Sequence, residues 1–430
     1  LVREIGVAKR HNSGTAILFI DLDHFKKIND ALGHPVGDRL LQETAQRIST
    51  ILRSEDTCAR VGGDEFVVLI PSLQGSSAQM TRKSHHVAEQ IRRQLGLPYE
   101  MDGRQLRMSV SIGIAIHPDH DDDAGILVRH ADTAMYKAKL AGRNCIRFFN
   151  PEMQDEVSER LDVELALRSA LENNELSLAF QPQIDRQYGL VGAEVLLRWH
   201  SASLGMVSPA QFIPIAEDTG LIISIGDWVM RTAMNRAREL SEAAHSGGGC
   251  RIAINVSQVQ FKQRDFVETV VRALADTGVN PCLIELEITE SMLVDHVDAA
   301  INKIQHLREL GIRFSIDDFG TGYSSLSYLK LLPLDKLKID QSFVRGVDQD
   351  EQDAAIVEAI IAMARHLKLD IIAEGVETEA ERDFLAAHGC DKYQGYLYYR
   401  PMPWSEFRVL CTGDEPSTAN LSSTAESVEP

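Results

Sequence analysis

The chain has 430 residues, of which 44% are hydrophobic and 25% charged, and its formal net charge is −19. This length and composition predict a globular protein of two or three domains, and the acidity argues against a protein that coats nucleic acid, because phosphate binding favours a basic surface. The 6 cysteines form no C-x-x-C pair, which indicates reduced thiols of a cytosolic protein, and no apolar run approaches the roughly 20 residues of a membrane helix.

Residues 1–150 mix short strands with helices. Apolar runs and helical spacing predict, in chain order, a strand at Thr15–Leu22, a helix over 38–53, strands at Cys58–Val61 and Phe66–Ile70, a helix over 78–95, a strand at Met108–Ile116, a helix at Ala124–Leu140 and a strand at Cys145–Phe149. Gly62 and Gly63, between two of these strands, predict a hairpin turn. Residues 1–150 are therefore predicted to form one mixed α/β domain.

A charged segment with spaced leucines, residues 151–173, predicts a helical connector that starts near Pro151. The tail 412–430 is rich in Ser, Thr, Glu and Pro and lacks apolar periodicity, so we expect it to be disordered. Charge also separates the regions: residues 1–150 hold 20 Lys/Arg and 18 Asp/Glu, whereas residues 151–430 hold 24 and 45.

Residues 174–411 alternate short apolar strands with helical stretches. The strands are predicted at Leu190–Trp199, Arg251–Val256, Leu283–Thr289, Ile312–Phe319, Lys336–Ile339, Ile371–Glu374 and Tyr393–Tyr396. Repeated strand–helix units over this length favour a (β/α)8 barrel. The C-terminal strand ends of such a barrel share one mouth, where active sites are built.

Polar side chains stand at or just before the ends of these strands. They are Glu194, Asn255, Glu287, Asp317, Asp318, Lys338, Glu374 and Gln394. Any one of the acids could be a solvated loop residue or a helix cap, but carboxylates that converge repel one another unless cations neutralise them. Oxygen ligands suit Mg²⁺ or Mn²⁺, and two such ions can activate a water and clamp a phosphoryl displacement. In that chemistry Asp317 or Asp318 would bridge two ions, and Lys338 would hold the water or take its proton.

The same region contains the motifs G-A-E-V-L-L-R-W (192–199), I-A-I-N-V-S (252–257), E-L-E-I-T-E (285–290), D-D-F-G-T-G-Y-S-S-L (317–326), K-I-D (338–340), A-E-G-V-E (373–377) and Q-G-Y (394–396). They resemble the EAL family of cyclic-di-GMP phosphodiesterases. The resemblance implies a TIM barrel of the (β/α)8 type and hydrolysis of one phosphodiester of cyclic-di-GMP to linear pGpG. It also implies two Mg²⁺ or Mn²⁺ ions per site and a homodimer formed through the segment after the D-D-F-G-T-G loop. Val195 stands where the family has alanine, and Phe180 where a tyrosine is common.

The resemblance also implies roles for single residues. The ligands of the first metal would be Glu194, Asn255, Glu287 and Asp317. Those of the second would be Asp317, Asp318 and Glu374. Lys338 would be the catalytic lysine, with Glu194 and Glu374 completing the catalytic set. Gln181, Arg198 and Gln394 would contact the substrate, and Glu290 would brace the D-D-F-G-T-G loop.

Acids also cluster in the first region. They are Asp21 and Asp23 at the end of a strand and Asp64 and Glu65 in the hairpin turn. Carboxylates from neighbouring strands could hold the Mg²⁺ of a nucleoside triphosphate, and Gly62 and Gly63 would let the backbone approach a phosphate. Lys139 and Arg143, four residues apart at a helix end, would neutralise phosphate charge. In isolation, an ordinary glycine hairpin with polar turn residues is the better explanation of the turn.

Longer motifs extend this cluster: F-I-D-L-D-H-F-K-K-I-N-D (19–30), G-H-P-V-G-D (33–38), R-V-G-G-D-E-F (60–66) and Y-K-A-K-L-A-G-R-N (136–144). They resemble the GGDEF family of diguanylate cyclases, which join two GTP molecules into cyclic-di-GMP. The resemblance implies a cyclase-like α+β sandwich that binds GTP with Mg²⁺.

This resemblance also implies roles for single residues. The metal ligands would be Asp21, the Leu22 carbonyl and Asp64, with Glu65 beside the metal and the 3′-hydroxyl. The guanine contacts would be Asn29 and Asp38, and the phosphate contacts Lys26, Lys139 and Arg143. Arg53 and Asp56 would form the R-x-x-D site at which product inhibits the cyclase.

Three functions stay open at this point. The chain could be a phosphodiesterase with an active cyclase, a phosphodiesterase whose first domain is a GTP-binding regulatory module, or a receptor that only binds cyclic-di-GMP. The receptor is disfavoured because the metal-ligand candidates and Lys338 are all present. The sequence begins after the D-x-L-T-G-L-type segment that opens the GGDEF family, and synthesis needs two facing domains, so an intact nucleotide pocket is compatible with poor cyclisation. The first two functions are not separable from the sequence, because the G-G-D-E-F residues are complete. We expect a cytoplasmic catalytic portion that contacts neither membrane nor nucleic acid, with any sensor or membrane segment upstream of this sequence.

Overall fold

A computed structural model describes residues 1–11, 13–119, 123–243, 250–293, 297–320 and 331–413. The chain divides into two compact units, Leu1–Asp162 and Val163–Pro430. The division falls inside the helix Pro151–Leu167, which begins at the start of the predicted connector. Of the predicted tail, Thr412 ends the last helix, and the part from 414 onward lies outside the described residues.

The first unit contains the elements predicted from the sequence and four more. Its helices are α1 Val2–His11, α2 Phe25–Leu32, α3 His34–Ile51, α4 Ser77–Leu95, α5 Ala124–Leu140 and α6 Pro151–Leu167. Its strands are β1 Gly14–Leu22, β2 Thr57–Gly62, β3 Glu65–Leu73, β4 Tyr99–Met101, β5 Arg104–Leu106, β6 Val110–His117 and β7 Ile146–Phe148. The additions are α1, α2, β4 and β5.

A five-stranded sheet forms the centre of this unit, in the order β2-β3-β1-β6-β7. β1 pairs antiparallel with both β3 and β6. All of β1 is buried, because its alternate residues pack on opposite faces: Leu18 and Ile20 belong to the core with Leu40 and Ile91, whereas Ile17 belongs to the core around α5. Helices therefore cover both faces, which confirms the expected α+β sandwich.

The second unit contains more elements. Its helices are α7 Pro209–Thr219, α8 Ile222–Ala243, α9 Gln258–Phe261, α10 Phe266–Thr277, α11 Val297–Glu309, α12 Gln341–Val344, α13 Glu351–Leu367, α14 Glu379–His388 and α15 Trp404–Thr412. Its strands are β8 Leu176–Asp185, β9 Leu190–Ser201, β10 Gly205–Val207, β11 Arg251–Asn255, β12 Ile284–Thr289, β13 Arg313–Phe319, β14 Lys336–Ile339, β15 Asp370–Ala373, β16 Lys392–Tyr393 and β17 Met402–Pro403.

Eight of these strands close into the predicted barrel. From β9 through β11, β12, β13, β14 and β15 to β16, neighbouring strands are parallel. β8 completes the ring and runs antiparallel to both β9 and β16. β8 was not predicted from the sequence. Because it runs antiparallel to its neighbours, the barrel differs from a uniform (β/α)8 repeat in the direction of its first strand. The parallel strands bring the C-terminal ends of β9, β11 and β12 to one mouth.

Candidate active sites

The barrel mouth gathers the polar residues predicted at the strand ends. Glu194 comes from β9, Asn255 from β11, Glu287 from β12, Asp317 and Asp318 from β13 and Lys338 from β14, while Glu374 and Gln394 directly follow β15 and β16. They come together because all of them lie at or just after the C-terminal ends of barrel strands, which share one mouth.

Lys338 lies among four of the carboxylates. Its Nζ is 2.6 Å from Glu374 Oε1, 2.7 Å from Glu287 Oε2, 2.9 Å from Asp317 Oδ1 and 3.6 Å from Glu194 Oε2. The lysine side chain is fully buried. One ammonium group thus faces four acids, and the cluster carries an excess of negative charge.

Two amide side chains hold Glu194 from other directions. Asn255 Nδ2 donates to Glu194 Oε1 at 2.7 Å, and Gln394 Nε2 donates to Glu194 Oε2 at 2.6 Å. Gln394 Nε2 also lies 3.2 Å from Gln181 Oε1 on β8. Both oxygens of Glu194 are therefore oriented by hydrogen bonds.

Burial and charge act against each other in this cluster. Burial raises the pKa of Glu287 and of Glu374 well above the usual range, despite the nearby Lys338. Burial also acts to raise the pKa of Glu194, but Lys338 and the hydrogen bonds from Gln394 and Asn255 outweigh it, so this pKa is lowered. Burial favours the neutral amine of Lys338, yet the four carboxylates outweigh it and raise the pKa of Lys338 well above its usual value. Lys338 is therefore charged at neutral pH.

The donor set fits divalent cations. Glu194, Glu287 and Asp317 offer one oxygen each within 4.8 Å of one another, and so do Asp317, Asp318 and Glu374. Asp317 belongs to both groups. The remaining oxygen of Glu287, Oε1, is buried and accepts no hydrogen bond from the described residues. A buried acceptor without a donor, beside further carboxylates, is the environment that a hard cation relieves.

Asp318 lies at an irregular point of β13. The pairing with β14 shifts register between Ile316 and Phe319, and Asp318 adopts a left-handed φ of 52°. Such a conformation is costly for a residue other than glycine and is often found at functional sites. Partial desolvation and the neighbouring Asp317 and Asp340 raise the pKa of Asp318 to about 6.

The remaining predicted residues of the barrel surround this cluster. Arg198 lines a cavity of about 460 Å³ together with Asn255, Asp317 and Asp318. Glu290 follows β12, and its Oε2 is buried without a hydrogen-bond partner among the described residues. Residues 321–330 of the loop that Glu290 was predicted to brace lie outside the described residues, as does the start of the segment predicted to form the dimer.

Three further residues lie beneath the site and were not predicted. They are Gln183 on β8, Glu285 on β12 and Lys336 on β14, and all are buried. Glu285 and Lys336 each precede a site residue by two positions, so the spacings E-x-E and K-x-K were the available signal, since side chains two apart share a strand face.

In the first unit, the end of β1 meets the hairpin between β2 and β3. Asp21 on β1 lies opposite Glu65 on β3 in the strand register, and the Leu22 N–H donates to the Asp64 carbonyl at 3.3 Å. Lys139 Nζ, on α5, lies 2.7 Å from Asp21 Oδ2. The structure thus brings Asp21, Leu22, Asp64, Glu65 and Lys139 together.

Burial raises the pKa of Asp21, although Lys139 opposes this effect. Desolvation raises the pKa of Glu65 as well, and Asp132 is the next cause, ahead of Asp21. Asp132, on α5, is therefore an acid of this cluster that the sequence analysis missed. The cluster carries more acid than base, which suits a divalent cation.

Asp23 has a structural role in this neighbourhood. Its carboxylate accepts hydrogen bonds from Ser109 Oγ at 2.6 Å, from Ser111 Oγ at 2.8 Å and from the Asn144 N–H at 3.1 Å. Arg143 and Asn144 have left-handed φ values of 61° and 48°. Asp23 thus holds the turn that carries Arg143, and its oxygens are already satisfied.

The predicted guanine and phosphate contacts lie on α2, α3, α5 and the turn after α5. Asn29 Oδ1 is buried with no hydrogen-bond partner among the described residues. Gly37 makes room for it, because a Cβ on Gly37 would lie 1.9 Å from Asn29 Oδ1. Lys26, Asp38 and Arg143 are exposed.

The R-x-x-D residues form a turn ahead of β2. Asp56 Oδ2 accepts a hydrogen bond from the Arg53 N–H at 2.9 Å. The Arg53 side chain is 80% exposed, and its Nη1 lies 4.0 Å from Glu55 Oε1. Asp56 fixes the backbone of the turn, while the guanidinium of Arg53 faces solvent.

Known protein families match both units. Residues 164–401 match the EAL domain, and residues 1–145 match the domain described as diguanylate cyclase, GGDEF domain. The two matches occur in the order that the sequence motifs predicted.

Curated relatives match most of the chain. The bifunctional diguanylate cyclase/cyclic di-GMP phosphodiesterase MucR of Pseudomonas aeruginosa is 43% identical over 404 residues, which cover 94% of this chain and 58% of that protein. The cyclic di-GMP phosphodiesterase PdeR of Escherichia coli is 38% identical over 392 residues, which cover 91% of this chain and 58% of that protein. Two further relatives are covered to 50% and 48% of their length, so this chain spans about half the length of the curated relatives that it matches.

A solved structure shares the barrel fold. The PaMucR phosphodiesterase in complex with c-di-GMP is 43% identical, with a TM-score of 0.55, and the match covers 57% of this chain and 99% of that one. Among the described helices, none combines the length and apolar character needed to cross a membrane.

Proposed function

This chain belongs to the EAL family and carries a GGDEF domain ahead of its EAL domain, and we propose that it hydrolyses one phosphodiester of cyclic-di-GMP to linear pGpG. The observation that carries the proposal is the group of acids around Lys338 at the barrel mouth. Relatives named as cyclic di-GMP phosphodiesterases, similar along most of this chain, support the choice of substrate.

The acids would hold two ions of Mg²⁺ or Mn²⁺. Glu194, Asn255, Glu287 and Asp317 would bind one, and Asp317, Asp318 and Glu374 the other. When bound, the ions supply the Lewis acidity that lowers the pKa of water and stabilises charge on the phosphoryl oxygens. Glu194 and Glu374 would fix the geometry of the site.

Lys338 and the cavity residues act directly on water and substrate. Lys338 is charged and donates, so it would orient the attacking water and stabilise negative charge as the phosphorus–oxygen bond breaks. Arg198 lines the cavity beside Asp317 and would contact a phosphate. Gln181 and Gln394, which contact each other, would complete the substrate contacts at the same mouth.

The test is hydrolysis of cyclic-di-GMP by the full chain with Mg²⁺ or Mn²⁺, followed by chromatography of the products. Glu194→Gln should reduce turnover by at least about 100-fold, because it removes a proposed metal ligand. Glu309→Gln, at an exposed residue of α11, is the matched control and should act like the wild type. Full activity of Glu194→Gln would refute the metal assignment.

For the first unit, we propose that it binds GTP with Mg²⁺. Asp21, the Leu22 carbonyl and Asp64 would hold the ion, and Glu65 would lie beside the 3′-hydroxyl. Lys26, Lys139 and Arg143 would contact the phosphates, and Asn29 and Asp38 the guanine. The unpartnered Asn29 Oδ1 supports the last assignment, because a buried acceptor without a donor is available to a ligand.

Synthesis of cyclic-di-GMP would need two such units facing each other in a homodimer, with Arg53 and Asp56 binding the product. The assay is incubation with GTP in a Glu194→Gln background, which keeps any product from being hydrolysed. Formation of cyclic-di-GMP supports a cyclase. GTP binding without product, together with faster hydrolysis by the wild type when GTP is present, supports a regulatory module instead.

A further inference from the structure

Beneath the barrel mouth, a second polar layer occupies the barrel interior. Glu285 and Lys336 lie two residues before Glu287 and Lys338 on the same strands, so each shares an inward face with a site residue. Glu285 is 1% exposed and Lys336 6% exposed, and Lys336 Nζ lies 2.7 Å from Glu285 Oε1. A buried ion pair therefore lies directly below the proposed metal site.

Side-chain hydrogen bonds connect this pair to Glu194. Lys336 Nζ donates to Gln183 Oε1 at 3.4 Å, and Gln183 Nε2 donates to Gln394 Oε1 at 2.9 Å. Gln394 Nε2 then donates to Glu194 Oε2 at 2.6 Å. We refer to Glu285, Lys336, Gln183 and Gln394 as the interior polar network.

The donors in this network all point the same way. An ammonium group only donates, so Lys336 orients the carbonyl of Gln183 towards itself and the NH₂ group towards Gln394. Gln394 must then accept through Oε1 and present its own NH₂ group to Glu194. A carboxylate only accepts, so a reversed Gln394 amide would place two acceptors against each other. The charge of Lys336 thereby sets the orientation of the amide that holds Glu194.

Stability alone does not account for a buried pair at this place. Removing a lysine and a glutamate from water costs about as much as their attraction returns, and apolar residues of similar volume often pack equally well. Hydrogen-bond partners behind a metal ligand, in contrast, fix its orientation and tune its basicity. Gly192 on β9 also leaves space for the network, since a Cβ there would lie 3.2 Å from Gln183 Oε1.

We propose that Lys336 and Gln183 are positioning residues that hold Glu194, through Gln394, in the orientation that binds a divalent cation. The inference rests on the proposed function, because it takes Glu194 to be a metal ligand. It adds residues that touch neither the cation nor the substrate. Their removal should therefore weaken binding of the cation, measured without substrate, and lower the turnover rate.

The test compares variants of the full chain by Mn²⁺ titration, followed by electron paramagnetic resonance, and by steady-state hydrolysis. Gln183→Met removes both hydrogen bonds of the amide at similar volume. The double change Glu285→Leu with Lys336→Met removes the ion pair without leaving a lone buried charge. Gln183→Glu keeps a partner for Lys336 but cannot donate to Gln394. Each should weaken Mn²⁺ binding in the absence of substrate and lower kcat by about 10-fold or more, the range for partners behind metal ligands.

Two further variants separate positioning from packing. Lys336→Arg keeps a group that only donates and should retain most of the Mn²⁺ affinity. Lys392→Met is the matched control, because Lys392 pairs with Asp370 at 2.9 Å on the strand that precedes Gln394 but lies outside the interior polar network. It should bind Mn²⁺ like the wild type.

The outcomes distinguish this inference from the proposed function. Folded network variants with wild-type Mn²⁺ affinity and kcat, in a chain whose wild type hydrolyses cyclic-di-GMP, would overturn the inference alone. A wild type that neither binds Mn²⁺ nor hydrolyses cyclic-di-GMP would overturn the proposed function and this inference with it.

Discussion

Lys338 is a cation surrounded by four carboxylates at the barrel mouth. Its Nζ lies within 3.6 Å of four carboxylates, and its side chain is fully buried. A charge so far from water persists only when opposite charges surround it. The acids outnumber Lys338, and this excess would suit the divalent cations proposed for the site.

Lys338→Met should destabilise the barrel without divalent cations by about 3–5 kcal/mol, because it leaves buried carboxylates without their counter-charge. Mn²⁺ should stabilise this variant more than it stabilises the wild type, since the ion replaces the lost charge. Urea unfolding with and without Mn²⁺ measures both effects.

Lys392→Met is the control for this prediction. The ion pair of Lys392 with Asp370 is partly exposed, so its loss should cost under about 1 kcal/mol and leave the response to Mn²⁺ unchanged. Equal responses of the two variants to Mn²⁺ would contradict the account of Lys338.

At this scale the sequence predicted the mouth of the barrel better than its interior. Glu194, Glu287 and Lys338 were predicted because they stand near strand ends within distinctive motifs. Gln183 and Lys336 were not, because a residue in mid-strand faces the barrel interior or a helix depending on pairings between distant segments. Their polarity alone does not distinguish these two faces.

The carboxylate of Glu381 accepts hydrogen bonds from backbone groups at the start of α14 and in the turn after α12. Thr378 and Glu381 form a capping box, in which Glu381 Oε2 accepts from the Thr378 N–H at 2.9 Å and the Glu377 N–H at 2.8 Å. Glu381 Oε1 accepts from the Gly346 N–H at 3.0 Å, in the turn after α12. Burial acts to raise the pKa of Glu381, but these backbone donors outweigh it and lower this pKa.

Glu381→Gln should cost about 1–3 kcal/mol at pH 7, because a neutral amide offers one acceptor where the carboxylate offers two. The folded-state pKa of Glu381 is lowered, so its stabilisation is complete above the unfolded-state pKa of about 4.3 and is lost as the pH falls through the folded-state value. The difference in unfolding free energy between wild type and variant should therefore shrink below about pH 4.

Urea unfolding across this pH range, with Glu379→Gln as control, tests the prediction. Glu379 lies in the same first turn, but its side chain is 77% exposed. A difference for Glu381→Gln that does not depend on pH, or an equal loss for Glu379→Gln, would speak against the capping role.

In the first unit, β6 and α5 approach closely at Gly113. A Cβ there would lie 2.0 Å from the Ala131 carbonyl oxygen and 2.1 Å from the Met135 nitrogen. Gly113→Ala should lower the free energy of unfolding of this unit by about 1–3 kcal/mol or more, because backbone atoms cannot move aside as a flexible side chain can. It should also weaken GTP binding, since α5 carries Lys139. Calorimetry of unfolding and of GTP binding measures both.

Gly6→Ala is the matched control for Gly113→Ala. Gly6 lies within α1, and a Cβ there would meet nothing within 4 Å. Alanine favours a helix interior over glycine, so this variant should be neutral or more stable by about 0.5–1 kcal/mol. Comparable destabilisation by both variants would contradict the close-approach argument.

Most elements were predictable from local patterns, and β8 shows where such patterns fail. Leu176, Leu178 and Phe180 alternate with small or polar residues, yet Pro182 lies within the strand, where proline is unfavourable. β8 nevertheless completes the barrel because it pairs antiparallel with β9 and β16. The pairing with β16 joins segments more than 200 residues apart, which no local window contains.

Most of the acidic residues of the protein lie in residues 151–430. The net charge of −19 arises from residues 151–430, which hold 45 acidic and 24 basic residues. Taken alone, this charge argues against a phosphate ligand. Bound divalent cations would reverse the local sign at the barrel mouth and admit an anionic dinucleotide.

Hydrolysis of cyclic-di-GMP by the full chain in H₂¹⁸O with Mn²⁺, followed by mass spectrometry, tests directly whether the barrel mouth is a phosphodiesterase site. Attack of one water on one phosphodiester predicts linear pGpG with a single ¹⁸O atom on its terminal phosphate, formed at least about 100-fold more slowly by Glu194→Gln. Unchanged cyclic-di-GMP, or pGpG without the label, would contradict the account.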